Sequence, residues 1–319
     1  MVQALGMDMT ALRAHRRGGP EVLTVERVPV PAPADGEVLI AVHAAAITFD
    51  ELTWDETWLR DGADRTPIIP SHEVSGVVSA IAEGVTDFAV GDEVYGLIRF
   101  DRDGAAAEYV AVPAADLATR PATVSHVVSA ALPLAGLTAW QALVGHANVQ
   151  PGERVLVHGG AGGVGALAVE LAGILGAEVT TTVRSDAHEL VRGLGAGHVI
   201  DTRTEEFDAP GPPYDVVIDT VGGDTLNRSF AVLRQGGRLV TLSAPPPEGM
   251  AAAHDVEATF FIVVPDREQL TRLATYVVED RLHVAIADTF ALADGRAAFE
   301  SGRKTHRRPG KTVLVVRDE

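Results

Sequence analysis

The chain has no cysteine among its 319 residues. That excludes disulfides, thiolate nucleophiles and cysteine-ligated zinc, and it agrees with a reducing compartment. No uninterrupted apolar run is long enough to span a bilayer. The first residues, Met1 to Arg17, lack the apolar core of a signal peptide, so a cytoplasmic location is the expectation. Basic residues are scarce, 26 against 44 acidic ones, for a net charge of −18. Such a surface repels nucleic acid and anionic membrane, and neither is expected as a partner. An anionic ligand then has to be held by locally placed cations and N–H dipoles. With 46% apolar and 22% charged residues the chain is of ordinary globular composition, and its length suits about two domains.

What is present centres on one stretch, Val155-Leu156-Val157-His158 followed by Gly159-Gly160-Ala161-Gly162-Gly163-Val164-Gly165. Three branched apolar residues predict a parallel strand covered on both faces. Ala166 to Leu175 predicts a helix ended by Gly176. Gly160, Gly162 and Gly165 fit G-x-G-x-x-G, which provides a tight turn, close approach of backbone to pyrophosphate, and close packing of helix on strand. The helix N-terminus offers unpaired N–H groups to phosphate. The strand before and the helix after raise the pattern above a bare glycine match, and the stretch predicts dinucleotide binding.

The chain before this unit reads as many short strands separated by Gly and Pro turns. They include Ala11–Ala14, a strand after the turn Gly18 to Leu23, Val38–His43, the loop Pro67–Pro70 feeding Val74–Val78, the turn and strand Val90–Gly96, and Gly104–Val112. Val28 to Pro33 is proline-spaced and belongs at an edge or in a loop. His43 reads as a packed strand residue. His72-Glu73 lacks a cysteine or second histidine nearby and reads as structural. The segment Ile47 to Trp58 holds two tryptophans and four acids. It is either a short surface helix with buried tryptophans or a wall of a substrate site.

From about Thr123 the pattern changes to helices Ser125–Leu132 and Pro133–Leu143, and then to strand–helix alternation. Strands are expected at 178–183, 198–200, 215–219 and 238–242, with Gln235 to Arg238 a turn before the last of them, and helices at 186–194 and 225–233. Such alternation means a parallel sheet with right-handed crossovers. Phe260–Val264 reads as a further strand, Asp266–Glu279 as an amphipathic helix with Leu270, Leu273 and Val277 on one face, and Ala293–Ser301 as a short helix. Lys311–Val316 reads as a terminal strand. The fold class is α/β. A Rossmann doubly wound parallel sheet at residues 123–265 accompanies a discontinuous β-rich domain at 1–122 and 266–319.

The second strand of the alternating region ends Thr182-Val183-Arg184-Ser185. An acidic side chain at this place binds the ribose 2′-hydroxyl of NAD, and an arginine accommodates a 2′-phosphate instead. Arg184 stands there, and Asp186 reads as the cap of the next helix, so the cofactor expected is NADP(H).

Gly18-Gly19-Pro20-Glu21-Val22-Leu23, Pro70-Ser71-His72-Glu73-Val74-Ser75-Gly76, Gly91 to Gly96, Ala135-Gly136-Leu137-Thr138-Ala139-Trp140, His158 to Gly165 and Gly310-Lys311-Thr312-Val313-Leu314 occur in order. In this the chain resembles the zinc-free quinone oxidoreductase (zeta-crystallin-like) branch of the medium-chain dehydrogenase/reductase superfamily, over nearly its whole length. The resemblance implies a GroES-like catalytic domain beside the Rossmann domain, and a homodimer joined through the Rossmann edge strand near Phe260–Val264. It implies cofactor contacts from Gly160, Ala161, Gly162, Gly163, Val164 and Gly165, from Thr138, from Arg184, Ser185 and Thr202 at the adenosine end, from Val221, Gly222, Leu242, Ser243, Phe261 and Ile262 at the nicotinamide end, and from Lys311. Many relatives carry an asparagine near the nicotinamide where this chain has Thr48.

The chemistry so implied is hydride transfer from NADPH to a small electrophile, a quinone or the β-carbon of an α,β-unsaturated carbonyl. These substrates polarise themselves, so no metal is expected. Charge developing on the carbonyl oxygen calls for a donor, for which Thr48 and Tyr95 are candidates. Asp50 is either an acid/base group or a helix cap. Trp54 and Trp58 are placed to stack a flat substrate if they are not core. Two other readings stay open: a zinc-independent alcohol dehydrogenase or ketone reductase, and an NADPH-binding protein with little catalysis.

Overall fold

The computed structural model describes residues 7–184, 187–304 and 308–318. Ser185 and Asp186, expected at the adenosine end and at a helix cap, lie outside the described residues. The chain divides into two compact units, residues 1–134, 264–278 and 284–319 in one and residues 135–263 and 279–283 in the other.

The first unit opens with β1 (Asp8–Ala14) and β2 (Leu23–Pro29), an antiparallel pair of their own. The proline-spaced run therefore ends an edge, where a missing N–H costs nothing. β3 (Glu37–Ile47) is the long central strand. A 3₁₀ turn (Glu51–Thr53) and α1 (Asp55–Trp58) follow, then the two-residue strands β4 (Leu59–Arg60) and β5 (Ala63–Asp64). Trp58 is buried, its indole N–H donating to the Leu52 carbonyl at 2.9 Å. Trp54 is half-buried, edge-on to Phe100 at 5.4 Å. Trp58 is thus core.

β6 (Glu73–Ile81), β7 (Glu93–Leu97), β8 (Tyr109–Pro113) and β9 (Leu117–Thr119) continue the unit. β8 starts later than the expected Gly104. The N–H groups of Gly104, Ala105 and Ala106 instead donate to the carbonyls of Ile69, Ser71 and Pro70, a loop partner that takes their ladder bonds. α2 (His126–Ala131) is capped by Ser125, whose hydroxyl accepts the Val128 N–H. It packs on β3 and β6, so the first unit runs past the expected limit at residue 122. α3 (Pro133–Trp140) continues into a π-helical turn to His146.

The second unit carries β10 (Arg154–His158), α4 (Gly163–Ile174), β11 (Glu178–Val183), α5 (His188–Gly193), β12 (His198–Asp201), β13 (Tyr214–Asp219), α6 (Gly223–Ser229), β14 (Leu233–Thr241), α7 (Met250–His254) and β15 (Glu257–Phe260). The sheet is wholly parallel, in the order β12-β11-β10-β13-β14-β15. Sequence order reverses between β10 and β13, and ligands of such sheets bind beyond the carboxyl ends at that point. The core under it is Leu156, Ile200, Val217, Leu226, Phe230 and Leu239 with neighbours.

Two expectations shift here. The turn expected at Gln235–Arg238 lies inside β14, which takes up the glycines as a register shift opposite Tyr214 and Val216. The edge strand is Glu257–Phe260, not Phe260–Val264. Pairing ends where β14 ends, at Thr241 opposite Phe260, and Phe261 turns its ring onto His146 at 4.2 Å.

The chain returns to the first unit with α8 (Arg267–Val278), β16 (Ile286–Ala291), α9 (Gly295–Glu300) and β17 (Lys311–Val315). Leu270 and Leu273 face inward as their spacing predicts. The unit's main sheet has the order β16-β17-β3-β6-β7-β9, with β8 also on β3. β17 pairs antiparallel with β3, placing Lys311 next to the Thr312–Ile47 pair and hence beside Thr48.

Candidate functional site

The end of β10 in the second unit is shaped by missing side chains. Gly159 has φ +76°, a conformation that disfavours any Cβ. A Cβ on Gly160 would stand 2.0 Å from Thr181 Oγ1, and one on Gly165 would stand 2.1 Å from the Gly159 carbonyl oxygen. The turn therefore lies against β11, and α4 starts against the turn, only because both residues are glycine. Gly162 precedes the first turn of α4, whose N–H groups are free for an anion.

Beyond this turn is a cavity of about 610 Å³. Ala161, Gly162, Arg184, Thr202 and Val221, all expected at the cofactor, line it together with Thr182 and Thr220. Arg184 is exposed at the tip of β11 and makes no hydrogen bond or ion pair with the described residues. Thr202 fixes that tip, its N–H and hydroxyl both donating to the Val183 carbonyl at 3.0 and 3.2 Å. Two acids share the lining. Glu206 is paired with Arg228, and Glu205 accepts the Asp201 N–H at 3.4 Å.

Asp219 was missed by the sequence reading. It is fully buried at the end of β13 and accepts the N–H groups of Val221 and Gly222 at 3.1 and 3.0 Å, the Thr241 hydroxyl at 3.0 Å and the Ser243 hydroxyl at 3.3 Å. One carboxylate thus gathers Val221, Gly222 and Ser243, three expected contacts, while Leu242 donates to the Asp219 carbonyl at 2.9 Å. Thr138 is buried on α3, and Phe261 and Ile262 lie after β15; none of the three lines the cavity. The shape, the bare N–H groups and a guanidinium with no partner among the described residues fit a dinucleotide.

The first unit holds a separate cluster around Lys311. Its ammonium lies 2.5 Å from Glu73 Oε2 and 3.2 Å from Thr48 Oγ1. Glu73 is 1% exposed, and its other oxygen accepts the Leu134 N–H at 2.9 Å. A buried carboxylate without its cation would cost several kcal/mol, and the ion pair with Lys311 meets that cost. An ammonium has only donors, so Thr48 Oγ1 accepts from it and keeps its own O–H to give elsewhere. Glu51, also missed by the sequence reading, sits 1% exposed in the same cluster and accepts the Ser71 N–H at 3.1 Å. Burial pushes its carboxyl up to about 8, helped by the charge of Glu73 and opposed by the Ser71 N–H and Lys311. It is a neutral acid at pH 7.

Two catalytic candidates fare differently. Tyr95 is buried and spends its hydroxyl proton on the Leu270 carbonyl at 2.7 Å, and burial pushes its pKa above the ordinary value, making it a weaker acid, so it is an anchor for α8 rather than a donor to substrate. Asp50 is exposed at the start of the 3₁₀ turn, and its side chain caps nothing.

His72 is buried against the edge of Phe100, with burial pushing its imidazole down to about 3. Glu73 beside it is engaged by Lys311. Among the described residues no group of three or more His, Asp or Glu is placed to hold a metal, and these donors do not fit a zinc centre.

Residues 34–122 match the family profile described as alcohol dehydrogenase GroES-like domain, and residues 194–314 the one described as zinc-binding dehydrogenase. The chain is 32% identical to the chloroplastic quinone-oxidoreductase QR1 of Triphysaria versicolor, over 93% of this chain and 95% of that protein. It is 32% identical to the chloroplastic NADPH-dependent alkenal/one oxidoreductase of Arabidopsis thaliana, over 93% and 77%. The solved structure of the quinone oxidoreductase from Coxiella burnetii superimposes with a TM-score of 0.88 at 31% identity, covering 97% of this chain and 100% of that one.

Two outcomes are expected. Gly165→Ala should weaken dinucleotide binding at least about tenfold, because the new methyl meets a backbone oxygen that cannot give way; titration by protein fluorescence reads it. Glu51→Gln should stabilise the protein increasingly as pH rises. Below the ordinary value of 4.5 the acid is neutral both folded and unfolded. Above it the unfolded chain releases a proton that the fold retains, so the native residue loses stability up to about pH 8. Thermal unfolding at pH 4 and pH 8 should show no gain at the first and a gain on the order of a few kcal/mol at the second.

Proposed function

We propose, from the premise that this chain belongs to the quinone oxidoreductase branch of the medium-chain dehydrogenase/reductase superfamily, that it is an NADPH-dependent reductase of quinones and α,β-unsaturated carbonyls acting without a metal. The chain is an oxidoreductase and binds a nicotinamide cofactor. When bound, that cofactor supplies the hydride. Arg184 supports the 2′-phosphorylated form, as an exposed cation at the tip of β11 with no partner among the described residues. The glycine turn holds the pyrophosphate on backbone N–H groups, so an acidic protein needs few cations there.

The single observation that carries the acceptor class is the Thr48–Lys311 contact. The hydroxyl is oriented by an ammonium behind it and has a proton free for a carbonyl oxygen that gains charge as hydride arrives. Its polarity is raised by Lys311, whose ammonium is paired with Glu73. A quinone or conjugated carbonyl needs no more than this donor, because its own conjugation spreads the incoming charge.

A homodimer through the Rossmann edge belongs to the same reading. β15 ends the parallel sheet with one ladder edge unpaired among the described residues, and Ile262 just after it is 47% exposed. A cytoplasmic location fits the composition.

Mixed with NADPH, the protein should oxidise it when given quinones or enones and leave simple aldehydes alone; preference for simple aldehydes selects an alcohol dehydrogenase or ketone reductase instead. Thr48→Val should lower kcat about tenfold to a hundredfold. Light scattering on a sizing column should give twice the 33.5 kDa chain mass, and a monomer would overturn the dimer.

A further inference from the structure

His158 lies at the end of β10, immediately before the glycine turn, and is completely buried. A buried imidazole needs partners on both nitrogens. Nε2 is 3.0 Å from Ser229 Oγ on α6, and Nδ1 is 3.2 Å from Thr182 Oγ1 on β11. Ser229 Oγ lies 2.6 Å from the Thr225 carbonyl oxygen, which has no hydrogen to give, so the serine spends its proton there. Ser229 must then accept from His158, which puts a hydrogen on Nε2. Burial pushes the imidazole well below its ordinary value, so it is neutral and Nδ1 is bare. Thr182 must therefore donate to Nδ1. Its oxygen is left to accept the Gly159 N–H, at 3.1 Å.

We infer that His158 is a positioning residue for the dinucleotide: its Nε2–H tautomer turns the Thr182 hydroxyl so that it clamps the glycine turn in the shape that presents N–H groups to pyrophosphate. The inference rests on the reading of that turn as the cofactor seat. The clamp is double, because the Thr182 carbonyl also takes the Gly160 N–H at 3.0 Å. The histidine's own carbonyl accepts the Thr220 hydroxyl at 2.7 Å, so one residue ties the turn to β11, to α6 and to the loop after β13. Thr182 and Thr220 line the cavity, whereas His158 does not reach it. The groups facing the ring are the Asp219 carboxylate, which favours a charged imidazole, and the Arg228 guanidinium, which opposes it. Phe207 closes the remaining side edge-on at 4.5 Å. A leucine of similar bulk would fill this space and leave Thr182 free to rotate.

The test uses the full-length protein and three probes: NADPH, ADP-ribose, which carries the pyrophosphate without the 2′-phosphate, and adenosine 2′-monophosphate, which carries the 2′-phosphate without the pyrophosphate. Thr182→Val and His158→Leu should each weaken ADP-ribose and NADPH about tenfold and leave adenosine 2′-monophosphate within about twofold, as loss of one well-formed hydrogen bond implies. Thr182→Ser, which keeps the hydroxyl, should restore binding. Equal weakening of all three probes, or of none, overturns the inference. Nitrogen NMR of the unmodified protein guards against a variant that does not fold: Nε2 should be protonated and Nδ1 bare at neutral pH, and the opposite tautomer or an imidazolium overturns the inference. Failure of adenosine 2′-monophosphate to bind the unmodified protein would count against Arg184 as the phosphate partner and leave the ADP-ribose comparison intact.

Discussion

The contact between the glycine turn and β11 is the constraint on which the rest of the second unit depends. Gly160 has no room for a single carbon beside Thr181, and Gly165 has none beside the Gly159 carbonyl. With those two approaches made, α4 starts close to the sheet and its unpaired N–H groups face the cavity at the reversal of strand order. Any methyl at either place moves the helix away, and the anion seat with it. The acidic charge of the chain makes this more important, since on the proposed reading a dinucleotide is held by oriented backbone and by Arg184, which has no partner among the described residues, rather than by a basic surface.

The first unit solves a different problem by similar means. Lys311, Glu73, Thr48 and Glu51 come from the last strand, from β6 and from the segment after β3, and their burial makes each one's state depend on the others. Glu73 pairs with Lys311. Lys311 fixes the Thr48 hydroxyl. Glu51 stays protonated chiefly because burial disfavours its charged form, with the charge of Glu73 adding to this. The result is an oriented neutral donor with an ammonium behind it, built from residues that do not themselves need to change protonation state.

Much of this was legible in the sequence where the determinant is local. A glycine pattern after an apolar run is a steric statement about a few consecutive residues, and the strand, turn and helix stand where it put them. The strand–helix alternation likewise gave the parallel sheet. What stayed hidden depends on partners far along the chain. Tyr95 reads as a free phenol until Leu270 is brought to it, and Glu51 reads as one acid among four until β6 and Lys311 enclose it. Nothing near Asp219 announces that one carboxylate gathers the loops after β13 and β14, although a buried acid at the end of a parallel strand before a glycine pair is a signal that can be sought. The edge strand was misplaced by three residues because Phe260 to Val264 is uniformly apolar, and an apolar run fixes neither the point where pairing stops nor the ring that Phe261 covers.

The central claim is that the cavity beyond the glycine turn seats a 2′-phosphorylated dinucleotide with Arg184 at its phosphate. Calorimetric titration of the unmodified protein and of Arg184→Ala with NADPH and with NADH tests it most directly. The account predicts NADPH bound at least about tenfold more tightly by the unmodified protein, with Arg184→Ala erasing that difference and leaving NADH unchanged. Equal affinity for the two cofactors, or a preference for NADH that Arg184→Ala does not alter, would contradict it.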